Sequence, residues 1–122
     1  MIEAERTDFV ALPSQDYERT RTFYGETLGL PESASSGERY VEFETGNVSL
    51  GFYTPREEFR PSTGIVALRV ADVAAARAKL EEAGVEFQGE TIDSSVCHMA
   101  IFKDPDGNTL MLHRRYAPLP GG

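Results

Sequence analysis

The sequence predicts an α+β protein built from one β-α-β-β-β module used twice. Three observations predict it. Apolar runs rich in Val, Ile and Phe open each half of the chain, an aspartate-led amphipathic stretch ending at glycine follows each run, and each half then carries strand-like segments joined by turns containing Gly and Asn. Laying Phe9 on Ile65 puts Val10 over Val66, Ala11 over Ala67, Leu12 over Leu68, Asp16 over Asp72 and Arg21 over Arg77, all in one register.

In chain order, residues 8–12 form the first strand, and Ser14-Gln15-Asp16 leads into a helix over 17–28. Tyr17, Thr20, Phe23, Tyr24 and Leu28 recur on one face of that helix before Gly29 stops it. A weaker strand at 33–36 precedes strands at 39–43 and 48–53, joined by Glu44-Thr45-Gly46-Asn47, where Gly and Asn supply the positive φ of a tight reversal. Pro55, Pro61 and Arg56-Glu57-Glu58 make 55–63 a surface linker. The second half repeats the plan: a strand at 64–70, then a helix at 73–83 capped by Asp72, with Val73, Ala76, Leu80 and Ala83 inward and Gly84 as its stop. A weak strand at 85–92 follows, then strands at 96–103 and 109–114 around Asp104-Pro105-Asp106-Gly107-Asn108. The modules therefore span about 7–54 and 64–116, within one domain that ends in a flexible tail at 117–122.

Composition narrows the function. At 122 residues and 13.5 kDa the chain is one domain of ordinary size, long enough to bury a core without disulfides. Its net charge of −8 repels phosphate backbones and anionic lipid, so neither nucleic acid nor a membrane surface is an expected partner. Apolar stretches are too short to span a bilayer. The single cysteine, Cys97, agrees with a reducing compartment, and the expected location is cytoplasmic.

Strand alternation sorts the side chains onto two faces. Val10, Leu12, Val48, Leu50, Phe52, Val66, Leu68, Val70, Leu110 and Leu112 share one parity and are uniformly apolar, as a helix-packed face requires. Phe9, Ala11, Pro13, Ser49, Gly51, Tyr53, Ile65, Ala67, Arg69, Met111 and His113 share the other.

The duplicated pattern resembles the vicinal oxygen chelate superfamily, which includes glyoxalases, bleomycin-resistance proteins and dioxygenases. The resemblance rests on Asp16-Tyr17-Glu18-Arg19-Thr20-Arg21-Thr22-Phe23-Tyr24 ahead of Thr27-Leu28-Gly29-Leu30, and on Phe102-Lys103-Asp104-Pro105-Asp106-Gly107-Asn108 before the last strand. It covers about residues 7–116 and specifies fold better than activity. It implies a cup-shaped mixed sheet with helices on the convex side, a ligand held on the concave side, and a homodimer. The mixed-parity set above should then line the cup, with Phe9, Ser49, Gly51, Tyr53, Ile65, Arg69, Met111 and His113 as ligand-binding candidates. If the outer strands run parallel, Ala67 lies beside His113 and Arg69 near one mouth, while the bare Gly51 position leaves room.

Metal-dependent members place His or Glu at inward positions that correspond here to Phe9, Gly51, Ile65 and Met111, none of which offers a hard donor. No metal or other cofactor is therefore expected. His98 and His113 with one carboxylate, for instance Glu42, are an alternative donor set, without a spacing motif behind it. Three functions remain open: metal-independent binding of a small molecule, cationic or planar, as in drug sequestration; a metal-independent lyase or isomerase with His113 as acid/base and Arg69 or Tyr53 holding an oxyanion; and a non-catalytic regulatory domain. His113 has a plainer reading as an ordinary strand residue, and Arg69 as a salt-bridged or solvated strand end. Cys97 reads as a buried structural thiol facing away from His98, and Asp104 and Asp106 as parts of the turn.

Overall fold

The computed structural model describes residues 1–118. The tail expected over 117–122 thus falls mostly outside the described residues. Ala117 and Pro118 are held by Arg115, whose Nε and Nη2 donate to their carbonyl oxygens at 2.9 and 3.0 Å.

Two compact units divide the chain, Met1–Ser62 and the part from Thr63 onward. The first contains β1 (Phe9–Pro13), α1 (Tyr17–Arg21), β2 (Glu32–Ser36), β3 (Tyr40–Glu44) and β4 (Ser49–Tyr53). The second contains β5 (Ile65–Arg69), α2 (Val73–Glu82), β6 (Phe87–Asp93), β7 (Cys97–Lys103) and β8 (Thr109–Arg115). Each unit is an α+β sheet of the same topology, ordered β1-β4-β3-β2 and β5-β8-β7-β6. In both, the first and last strands pair parallel and the others antiparallel.

The two helices start alike. Asp16 Oδ1 accepts from the Arg19 amide and Asp72 Oδ1 from the Ala75 amide, both at 3.0 Å, satisfying the same orphan donor of the first turn. The first helix differs from a regular 17–28 helix: after Arg21 it widens into π turns over Thr22–Thr27, with Leu28 N–H donating to the Phe23 carbonyl five residues back. Glycines at φ +75° (Gly29) and +94° (Gly84) follow the helical segments, a conformation that costs other residues steric strain.

The apolar parity forms the cores. In the first unit Leu12, Val41, Phe43, Leu50 and Phe52 are buried with Tyr24, whose ring lies 4.1 Å from that of Phe52, centroid to centroid. In the second, Ala100, Phe102, Leu110 and Leu112 are buried with Val73 and Leu80 of α2, and Phe87 packs 5.0 Å from Phe102. Val10 departs from this pattern and stays 40% exposed near the start of β1. No helix among the described residues is long and apolar enough to cross a membrane.

Candidate functional site

The sheet face opposite the core in the first unit is set by two registers. Pairing of β1 with β4 puts Phe9 beside Ser49, Ala11 beside Gly51 and Pro13 beside Tyr53. Pairing of β4 with β3 adds Glu44 beside Ser49, Glu42 beside Gly51 and Tyr40 beside Tyr53. Phe9 and Tyr53 are 51% and 42% exposed, which is high for rings that strand pairing alone does not require to face solvent.

Gly51 does not leave the room its missing side chain suggested. A Cβ there would overlap the Tyr40 hydroxyl, because the phenol lies across the glycine. Tyr40 also meets Phe9 edge-on, with ring centroids 6.5 Å apart, and its hydroxyl donates to Glu42 Oε2 at 2.6 Å. Ser49 Oγ donates to Glu44 Oε1 at 2.9 Å. Among the described residues neither glutamate has a cationic partner. Tyr40 and Glu42 are thus central to this face, and neither was among the ligand-binding candidates. The signal was available: the Glu44–Asn47 turn brings Ser49 opposite Glu44, and alternation then carries Glu42 and Tyr40 to the same side.

Burial, and after it the bond to and charge of Glu42, push the Tyr40 phenol from an ordinary 10.0 up to about 12. A raised phenol pKa favours the fold while the proton is on, so this contribution is complete below pH 10 and fades as pH climbs through about 12. In a spectrophotometric titration, Tyr40→Phe should delete an ionisation near 12, and Glu42→Gln should bring that ionisation down. An ionisation unmoved by Glu42→Gln would mean that the carboxylate does not hold the phenol.

The segment after β4 is more than a connector. Pro13, Tyr53, Thr54, Pro55, Arg56, Glu57, Glu58 and Arg60 line an open hollow of about 810 Å³, so the linker walls a recess that begins at Tyr53.

In the second unit the open face carries Ile65, Ala67 and Arg69 from β5, Thr109, Met111, His113 and Arg115 from β8, and Cys97, Met99, Ile101 and Lys103 from β7. The parallel register begins with Ile65 opposite Thr109. This corrects the expected neighbours: Met111 stands beside Ala67, and His113 stands beside Arg69. The start of β8 is fixed by the preceding turn, where Asp104 Oδ1 accepts from the amides of Asp106 and Asn108 at 2.9 and 2.8 Å, and Oδ2 accepts from Asn108 Nδ2 at 2.9 Å. Asp104 and Asp106 are buried in that turn.

Arg69 is exposed and makes no ion pair or side-chain hydrogen bond among the described residues. Ile65 is 55% exposed. Cys97 is half-buried, not fully buried, because it sits on the open face opposite Arg115. His98 occupies the other face, paired across strands with Arg114 and Asp93, with Nε2 3.4 Å from Asp93 Oδ2 and its ring 4.7 Å from that of Tyr116. The two histidines therefore point to opposite sides of one sheet and do not converge.

The residues do not fit the metal centre of metal-dependent relatives. Phe9, Gly51 and Ile65 have no donor, Met111 offers only a soft thioether, and Tyr40 fills the space over Gly51. No three His, Cys, Asp or Glu side chains among the described residues stand close enough together to hold an ion.

Two β-α-β-β-β units of identical strand order, each with a helix-packed face and an open face bearing aromatic or apolar side chains, define the paired-module α+β class. The chain belongs to the glyoxalase/bleomycin resistance protein/dioxygenase superfamily, whose family model matches residues 6–112. An uncharacterized protein of Mycolicibacterium smegmatis is 29% identical over 110 residues, covering 90% of this chain and 91% of that one. TnmS3, an antibiotic binding protein from Streptomyces sp. CB03234, superposes with a TM-score of 0.82 at 26% identity, over 95% of this chain and 100% of its own. A glyoxalase/bleomycin resistance protein from the same Streptomyces superposes with a TM-score of 0.74 at 28% identity, over 88% and 99%.

Proposed function

We propose that this protein binds a small molecule on its open sheet faces and releases it unchanged, without a metal, in the manner of drug sequestration. The observation that carries this reading is the side-chain set at the four family metal positions, Phe9, Gly51, Ile65 and Met111, which is built for apolar contact and not for ligating an ion. The likeness to an antibiotic binding protein supports it, and the −8 net charge favours cationic compounds during encounter. Phe9, Ser49 and Tyr53 in the first unit, where Tyr40 covers the Gly51 position, and Ile65, Arg69, Met111 and His113 in the second, are the proposed contacts. The same proposal includes a homodimer in a reducing cytoplasm; light scattering at the 13.5 kDa of a single chain would remove the dimer.

A second reading is favoured by one observation, the placement of His113 directly beside Arg69, which no carboxylate among the described residues engages. His113 would act as acid/base and Arg69 would hold an oxyanion. One experiment separates the two. Calorimetric titration with cationic glycopeptide antibiotics should give saturable heat at one ligand per chain, with the compound recovered unaltered. Heat-silent titrations across that class would remove the antibiotic version. Compound consumed in the presence of chelator, at a kcat reduced about tenfold or more by His113→Ala, would replace binding with catalysis.

A further inference from the structure

We propose that Glu42, positioned by Tyr40, selects the charge of the ligand on the open face of the first unit, favouring a flat ring with a cationic N–H donor over an uncharged ring of the same outline. This rests on the small-molecule-binding reading above.

Glu42 stands mid-face, opposite Gly51, and is half-buried. Oε2 is engaged by the neutral Tyr40 hydroxyl, while Oε1 accepts from no side chain or amide among the described residues, and no Lys or Arg shares the open face of β1, β3 or β4. No buried side-chain oxygen among the described residues lacks a partner, so Oε1 is open to this face, where the carboxylate has only a neutral donor and a ligand N–H can add a charge-assisted bond. The surroundings set the shape. Because the phenol covers Gly51, a ligand is kept off the strand there and meets Tyr40 and Phe9, two rings set edge to face at 75°, one of which can offer its face to a flat cation while the other borders it. Tyr40 thus shapes the floor and orients the carboxylate that reads charge.

The test uses two fluorescent probes of one outline, 9-aminoacridine and acridine, at a mildly alkaline pH where the first is a cation and the second uncharged. The full chain should bind 9-aminoacridine more tightly than acridine by about tenfold or more. Glu42→Gln should abolish that preference while acridine binding is retained. Glu26→Gln removes the same charge from the exposed helical surface and should leave the preference intact. Tyr40→Phe keeps both ring and carboxylate, so it should weaken the preference without reversing it. Equal binding of both probes by the unmodified chain, or a preference that survives Glu42→Gln, overturns the assignment and leaves the small-molecule reading standing. Loss of both probes in Glu42→Gln, with an unchanged melting temperature, makes the residue a general support of the face and also overturns it. Failure of the unmodified chain to bind either probe overturns the assignment together with planar-ligand binding.

Discussion

Phe52→Ala should lower the unfolding free energy by about 4 kcal/mol, seen as a large fall in the urea midpoint at unchanged slope. Phe52 is only 2% exposed, and its ring contacts Tyr24 at 4.1 Å and Phe43 at 6.1 Å between centroids. It therefore joins the helix to the sheet in the first unit, and alanine would leave a void flanked by two rigid rings with little freedom to close it. With roughly 5–15 kcal/mol as the total stability of an ordinary domain, the loss would be a large fraction of the whole. Phe9→Ala is the matched control on the other face: its ring is 51% exposed, and the expected change is within about 0.5 kcal/mol. A larger loss in Phe9→Ala than in Phe52→Ala would mean that the faces of this sheet have been assigned the wrong way round.

Asp104→Ala should cost about 3 kcal/mol. Its carboxylate accepts from two backbone amides and from Asn108 Nδ2 in a turn where Asp104, Asp106 and Asn108 are all nearly inaccessible to water. Alanine would remove the acceptor of three donors in the interior, and a buried donor that loses its acceptor is penalised more heavily than a made bond is rewarded. Asp104→Asn retains an oxygen for the two amides and should be markedly milder. Thermal melts of the two variants check this ordering, and a stability equal to that of the parent in Asp104→Ala would show that the turn is held by other contacts. Because the turn delivers β8 into the centre of its sheet, the alanine variant should also disturb Met111 and His113.

Features whose causes lie within a few residues were legible in the chain. Asp16 and Asp72 cap their helices through a bond to an amide three residues on, an interaction contained in one turn. Alternation placed Leu12, Leu50, Phe52, Leu110 and Leu112 in the interior because a strand has no other way to divide its side chains. Other features escaped. The π turns after Arg21 leave the apolar spacing nearly helical, so Tyr24 reads the same with or without them. The sequence puts Tyr40 in a strand without giving its face, and its cover over Gly51 becomes visible only when β3 and β4 are set side by side. The exposure of Val10 and the partial exposure of Cys97 likewise depend on what lies alongside each strand.

From the amino acids alone came the α+β class, the doubling of one module, the division of each sheet into an apolar and a mixed face, and the lack of hard donors at Phe9, Gly51, Ile65 and Met111. Those properties are local in sequence or repeat with the period of a strand. Only the tertiary structure decided that Arg69 neighbours His113, that His98 turns to the opposite side, and that Tyr40 with Glu42 occupies the place over Gly51. Strand register is the physical reason: parity is unchanged by a two-residue slip, yet such a slip exchanges every cross-strand neighbour, and a binding face is made of those neighbours.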